Sequence, residues 1–259
     1  MKRAAALLFL ALASAGAQAG CAREFNVGMP EPSVGAYIEK GEWRGLLPEM
    51  LDELARRSGC SFKLLPLPRA RMVLQFDQGE LDVLTSVTQT PERDSKGRYM
   101  PYAFGALTII VTRSDVHTVD DLRRRPELKL GTVRGLRLGR LQGAVDSLPT
   151  NQVEYSANFS NLIAKLTAGR LQAAVLPSVV EAKMRLDGQL PVNSARLELP
   201  GITPEVVGLY LSHRVTEADF ELLQRHLDAM RREGWIRARY VHYVGETETK
   251  RLFRNDSTR

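Results

Sequence analysis

Long hydrophobic runs are missing from nearly all of this 259-residue chain. Its one notable charge-free apolar stretch, Ala4–Ala13, is about half the roughly 20 residues that a membrane-spanning helix needs. Cysteine is scarce, with only Cys21 and Cys60, and two thiols cannot make a four-ligand zinc site. The four histidines, His117, His213, His226 and His242, show no short ligand spacing, so no metal is expected. Aromatic residues make up 7%, few for a surface that stacks bases. The arginines are scattered among carboxylates, and the densest basic run, "LRRRPELK" (Leu122–Lys129), has the pattern of a solvated helix end. Nucleic acid is therefore not an expected partner. No Ser-His-Asp grouping, internal repeat or low-complexity segment is present, and neither a catalytic residue nor a cofactor is assigned.

What is present begins with the N-terminus. Lys2 and Arg3 precede the short apolar run, and Ala17-Gln18-Ala19 offers the small-x-small pattern of a secretory cleavage site. Residues 1–19 are expected to be a signal peptide, cleaved near Ala19, which places the protein in the periplasm. Losing Lys2 and Arg3 lowers the formal charge of +6 by two. Lipid attachment at Cys21 is the less favoured alternative, because Gln18 stands where an aliphatic residue is usual. In an oxidising compartment Cys21 and Cys60 are expected to pair. Cys21 precedes the strand pattern "REFNVGM" and Cys60 opens "CSFKLLPL". Those two segments need only lie side by side and parallel for a disulfide to be reachable.

Beyond the signal, short apolar strands alternate with helical periods, the pattern of an α/β fold with parallel strands. Strand "FNVGM" leads through a Pro/Gly-rich loop (Pro30–Gly45) to a helix with Leu46, Leu47, Met50, Leu51 and Leu54 on one face, stopped at Gly59. Strand "FKLLPL", a helix after Pro68 and strand "LDVLTS" follow, then the apolar run "ALTIIVT" (Ala106–Thr112). Thr118 caps a short helix, and strands "LKLGTV", "QVEY", "LQAAVL" and "ARLEL" alternate with helices. Strand "PEVVGLYLS" then precedes helix "TEADFELLQRHLDAMRREG" and a last helix, Trp235–Tyr243. The polar tail "GETETKRLFRNDSTR" is expected to fray. Two βα blocks joined by a strand out and another back predict two lobes with a cleft at the strands' carboxyl ends. The expected boundaries are 20–109 for the first part of lobe 1, 110–205 for lobe 2, and 206–259 for the return to lobe 1. Roughly 240 mature residues suit two lobes of this size.

The stretch "TSVTQTPERD" (Thr85–Asp94) puts hydroxyls and one arginine just past a strand end. Together with "GEWRGLLPEMLDELARRSGC", "LKLGTVRG", "NLIAKLTAGRLQAAVLP" and "LQRHLDAMRREGWIRARYV", it resembles the periplasmic solute-binding proteins of polar amino-acid ABC transporters. The most specific piece is Gly79, Asp82, Thr90, Glu92 and Arg93. This resemblance implies a type II periplasmic-binding-protein-like fold: an α/β protein with two lobes, each a mostly parallel sheet flanked by helices, joined by a two-strand hinge. It implies that Thr85, Ser86, Thr88 and Arg93 grip a ligand carboxylate, which suits a planar guanidinium able to donate two parallel hydrogen bonds. It also implies a monomer that closes on a small carboxylated solute, amino-acid-like or a dicarboxylate, and delivers it to an ABC permease. Closure is expected about Leu107–Thr112 and Val206–Leu211. A module docking on a membrane sensor and a dehydratase-like enzyme on the same fold are the alternatives, the latter with Glu31, Glu92 or Asp94 as its acid or base.

Departures from the family pattern bear on the solute. Leu136 and Arg137 stand where a threonine is usual, and Pro177 falls where amino-acid binders place an acid for the ligand ammonium. An aromatic cushion is absent from the first loop, leaving Tyr37 or Trp43 to substitute, and Glu31 in that loop is assigned with the ligand-binding set as the one acid that could hold a ligand ammonium. Arg69, Arg71, Arg134 and Arg137 lie near cleft ends. Arg69 and Arg137 are assigned with the ligand-binding set, and two inward-facing arginines would favour a ligand with more than one negative group.

Overall fold

The computed structural model of the chain describes residues 20–30, 35–197, 199 and 201–254. The expected signal peptide and Glu31 lie outside them. The chain opens with β1 (Phe25–Pro30), a hairpin of β2 (Tyr37–Glu39) and β3 (Glu42–Arg44), and helix α1 (Leu46–Ser58). All five apolar residues expected on one face of α1 are buried, and Gly59 closes the helix at φ 71°. Then come β4 (Phe62–Leu67), α2 (Arg69–Asp77), β5 (Val83–Val87), α3 (Pro91–Asp94), β6 (Gly97–Gly105) and β7 (Leu107–Val111). The middle of the chain forms α4 (Val119–Arg123), β8 (Leu130–Val133), α5 (Gln142–Asp146), β9 (Val153–Ser156), α6 (Phe159–Thr167), β10 (Ala173–Pro177), α7 (Ser178–Leu186) and β11 (Ala195–Arg196). The chain ends with β12 (Glu205–Ser212), α8 (Glu217–Arg232) and α9 (Trp235–Leu252).

Two five-stranded sheets share one plan. Their orders are β4-β1-β5-β12-β6 and β11-β7-β10-β8-β9. Three neighbouring strands run parallel in each, and one strand (β12 or β7) runs against both of its neighbours. Each sheet is buried on both faces, so its central strands are near-continuous apolar runs. The first core packs α1, α8 and α9 on one face, and α2 closes the other with Met72 and Phe76. β1 and β4 pair in register from Phe25–Phe62, which brings their lead-ins together. Cys21 and Cys60 are joined there by a disulfide with Cα atoms 4.7 Å apart.

Three differences from the sequence reading have clear causes. The crossing between sheets is not in Leu107–Thr112 or Val206–Leu211, because Leu107–Val111 pairs with β10 along its whole length and β12 pairs likewise with β6. The backbone instead passes between lobes at Gly105–Ala106, just before β7, and returns between β11 and β12. The loop at 30–45 contains the β2–β3 hairpin, whose turn places Lys40 and Gly41 at positive φ. The polar tail is not frayed over its described residues. α9 bends at Gly245 (φ 81°) and continues to Leu252, burying Glu248, Thr249, Leu252 and Phe253.

Candidate functional site

The carboxyl ends of β1, β5, β8 and β10 open onto one cavity of about 650 Å³ between the two sheets. Two buried arginines, Arg93 and Arg69, stand in its lining. Arg93 follows from the N-capped turn of α3: Thr90 accepts the Arg93 N–H at 3.3 Å, Pro91 fixes the first position, and the side chain swings back to donate to the Thr88 carbonyl at 2.9 Å. Tyr210 braces the turn, accepting from the Thr90 N–H at 3.1 Å and donating to Asp94 at 2.7 Å. Burial and this neighbouring carboxylate push the Tyr210 hydroxyl up to about 12. Arg69 is the first residue of α2, and its guanidinium reaches the Ser86 carbonyl only at 3.4–3.5 Å. Its Nε has no hydrogen-bond partner.

Both side chains are buried, at 9% exposure for Arg69 and 6% for Arg93, and neither has a carboxylate partner among the described residues. Burial, then the charge of Arg93, pushes Arg69 down to about 10. Burial, then Arg137, likewise lowers Arg93. Between them sits Ser86, a non-glycine residue at φ 54°, whose hydroxyl lies 3.1 Å from that of Tyr102. A strained serine held among buried polar groups is the kind of residue that clusters at binding sites.

The structure sorts the expected site residues. Ser86, Thr88, Arg93, Arg69 and Arg137 line the cavity. Thr85 does not: it is fully buried and donates to the Gly28 carbonyl at 2.8 Å, tying β5 to β1. Arg137 faces the mouth, where it is exposed and pairs with Glu92 across the lobes at 3.0 Å. Arg71 and Arg134 are exposed and do not line the cavity. Trp43 packs on the first core and, like Tyr37, stays clear of the lining. Aromatic walls come instead from Tyr102, Phe159 and Tyr240. Tyr102 escapes notice in the sequence because β6 ("GRYMPYAFG") carries a proline and two terminal glycines and so lacks a strand signature. The lining carboxylate, Glu205, is 3.4 Å from Arg140. Of the acids considered for catalysis, Glu92 is paired with Arg137, and Asp94 accepts from Tyr210 and Gln89. Among the described residues no group of three His, Cys, Asp or Glu side chains is placed to hold a metal.

Residues 26–246 match the model of the bacterial extracellular solute-binding proteins, family 3. The chain belongs to that family. Solved structures share the fold at low identity. An ancestral arginine-binding protein bound to glutamine matches with a TM-score of 0.70 and 19% identity, over 86% of this chain and 98% of that one. The arginine-, lysine-, histidine-binding protein ArtJ from Geobacillus stearothermophilus matches at 0.72 and 18%, over 86% and 96%. The ancestral amino acid-binding protein AncCDT-1, a precursor of cyclohexadienyl dehydratase, matches at 0.69 and 22%, over 85% and 95%. No curated protein sequence matches the chain. At these identities the likeness concerns the fold alone.

Proposed function

We propose that this protein is a periplasmic solute receptor that closes its cleft on a small carboxylated solute and presents it to an ABC permease. The observation that carries this reading is the pair of buried guanidiniums, Arg69 and Arg93, facing one cavity without a carboxylate partner among the described residues. A buried charge is costly unless paired and hydrogen-bonded, so an anionic ligand is the natural complement. Arg93 anchors the carboxylate, and the Ser86 and Thr88 side chains satisfy its remaining lone pairs. Binding rather than chemistry is favoured because Glu92 and Asp94 are both engaged by other side chains.

Thermal-shift measurements against amino acids, mono- and dicarboxylates and phosphorylated acids test the reading. A carboxylated ligand at 100 times its Kd should stabilise the protein by about 2.7 kcal/mol. Arg93→Ala should weaken that ligand by about 2 kcal/mol, roughly thirtyfold. Equal affinity in the variant would overturn the assignment, as would a panel in which only uncharged solutes bind.

A further inference from the structure

The charges lining the cavity do not balance, and the imbalance has a direction. Arg140 is matched by Glu205, and Arg137 by Glu92 at the mouth. Arg69 and Arg93 are left over. Each donates only to a backbone carbonyl, and Arg69 at long distance with its Nε orphaned. From the second lobe, Leu136, Leu138, Leu141, Phe159 and Val179 add apolar lining beside the paired Arg137 and Arg140. The start of α7 (Pro177–Val180) opens on the same space, and a helix N-terminus favours negative charge. No described lining carboxylate is available for a ligand ammonium, since Glu205 lies beside Arg140.

We propose that the cleft selects a compact dicarboxylate without an amino group, Arg93 holding one carboxylate and Arg69 the other. This rests on the reading above and names its substrate class. A zwitterionic α-amino acid with one carboxylate would satisfy one guanidinium and leave the second buried and unpaired, and any α-amino acid, glutamate included, would bring an ammonium into a site of positive potential. A four- or five-carbon dicarboxylate satisfies both, with its methylenes against the leucine lining. The same logic assigns Arg69 as the residue that distinguishes one negative group from two.

Calorimetric titration of the purified protein with glutarate, succinate, glutamate, glutamine, arginine and pentanoate tests this. The dicarboxylates should bind at least about tenfold more tightly than pentanoate and than the amino acids. Arg69→Gln should weaken glutarate far more than pentanoate, erasing most of the preference between them. The variant's melting temperature, matched or raised because a buried unpaired cation is removed, shows that it folds. Tighter binding of glutamine, arginine or glutamate than of glutarate would overturn the dicarboxylate class and leave the carboxylate receptor standing. A glutarate preference that survives in Arg69→Gln would overturn the role of Arg69. Failure of every member to bind would overturn both.

Discussion

Asp82 shows how a residue conspicuous in a motif can serve the scaffold rather than the ligand. It accepts from Arg23 Nη1 and Nη2 at 2.7 and 2.6 Å and from the Asn26 N–H at 2.9 Å, fastening the start of the chain to β5. Burial alone would raise its carboxyl, but Arg23 and the Asn26 amide hold it below the ordinary value. A depressed folded pKa stabilises fully above the unfolded carboxylate value near 4, and that stability is lost as pH falls through the folded value. Asp82→Asn should therefore cost about 2 kcal/mol in urea unfolding at pH 7. The gap to wild type should stay constant from pH 8 to 5 and narrow below pH 4. A gap that widened on acidification would contradict the pairing. Sequence alone could bring Ser86, Thr88 and Arg93 to one cavity wall, because the hydroxyls and the arginine are local to one strand end. It could not separate Thr85 from Ser86, since the side-chain direction of each depends on the strand's register and on the positive φ at Ser86.

At the scale of elements, strongly periodic segments were legible and interrupted ones were not. The apolar stripe of α1 followed from pattern; the Cys21–Cys60 pairing is expected from the compartment, and the parallel pairing of β1 with β4 that it requires is present. β6 and the outer half of α9 were hidden, one by its glycines and proline, the other by the charged stretch "TETKR" that conceals Leu252 and Phe253. That outer half does more than cap the chain. Glu248 accepts from Arg251 at 2.6 and 2.9 Å and from Arg196 of β11 at 3.1 Å, while Arg196 also pairs with the fully buried Glu181 of α7. The end of α9, from the return segment of the first lobe, is thus bound to two elements of the second. Phe253 stacks edge-on with Phe104 and Tyr240 at 5.6 and 5.1 Å. Phe253→Ala should cost about 3–5 kcal/mol in urea unfolding. A loss under about 1 kcal/mol would mean that the tail is not packed as described. The disulfide closes a loop across a sequence separation of 39, and its reduction should cost about 4 kcal/mol by loop entropy. Alkylation without reductant should leave both cysteines unmodified, and labelling of either would refute the bond.

For the molecule as a whole, the question is what holds the lobes in this relation. Two backbone crossings and the α9 contacts described above link the lobes, and one side-chain pair spans the cleft mouth. The Arg137–Glu92 pair is half or more exposed on both sides, so it contributes at most about 1 kcal/mol. One approach is backbone to backbone: Gly135, after β8, sits against Ala70 of α2, and a Cβ there would lie 2.8 Å from the Ala70 backbone. Under the proposed closing motion, a side chain at this position would stand in the way. Gly135→Val should wedge the lobes apart and weaken ligand affinity by tenfold or more, about 1.4 kcal/mol. Because Gly135 has φ +78°, part of the damage would be local backbone strain rather than lost closure. Gly169 separates the two, having φ +70° and nothing within 4 Å of its would-be Cβ. Gly169→Val should reproduce the strain, lower the melting temperature similarly, and leave affinity unchanged. If both variants lose affinity equally, strain is the cause and the Gly135–Ala70 contact is incidental. If only Gly135→Val does, and small-angle scattering shows it expanded with ligand present, the close approach of these two backbones is what lets the cleft shut.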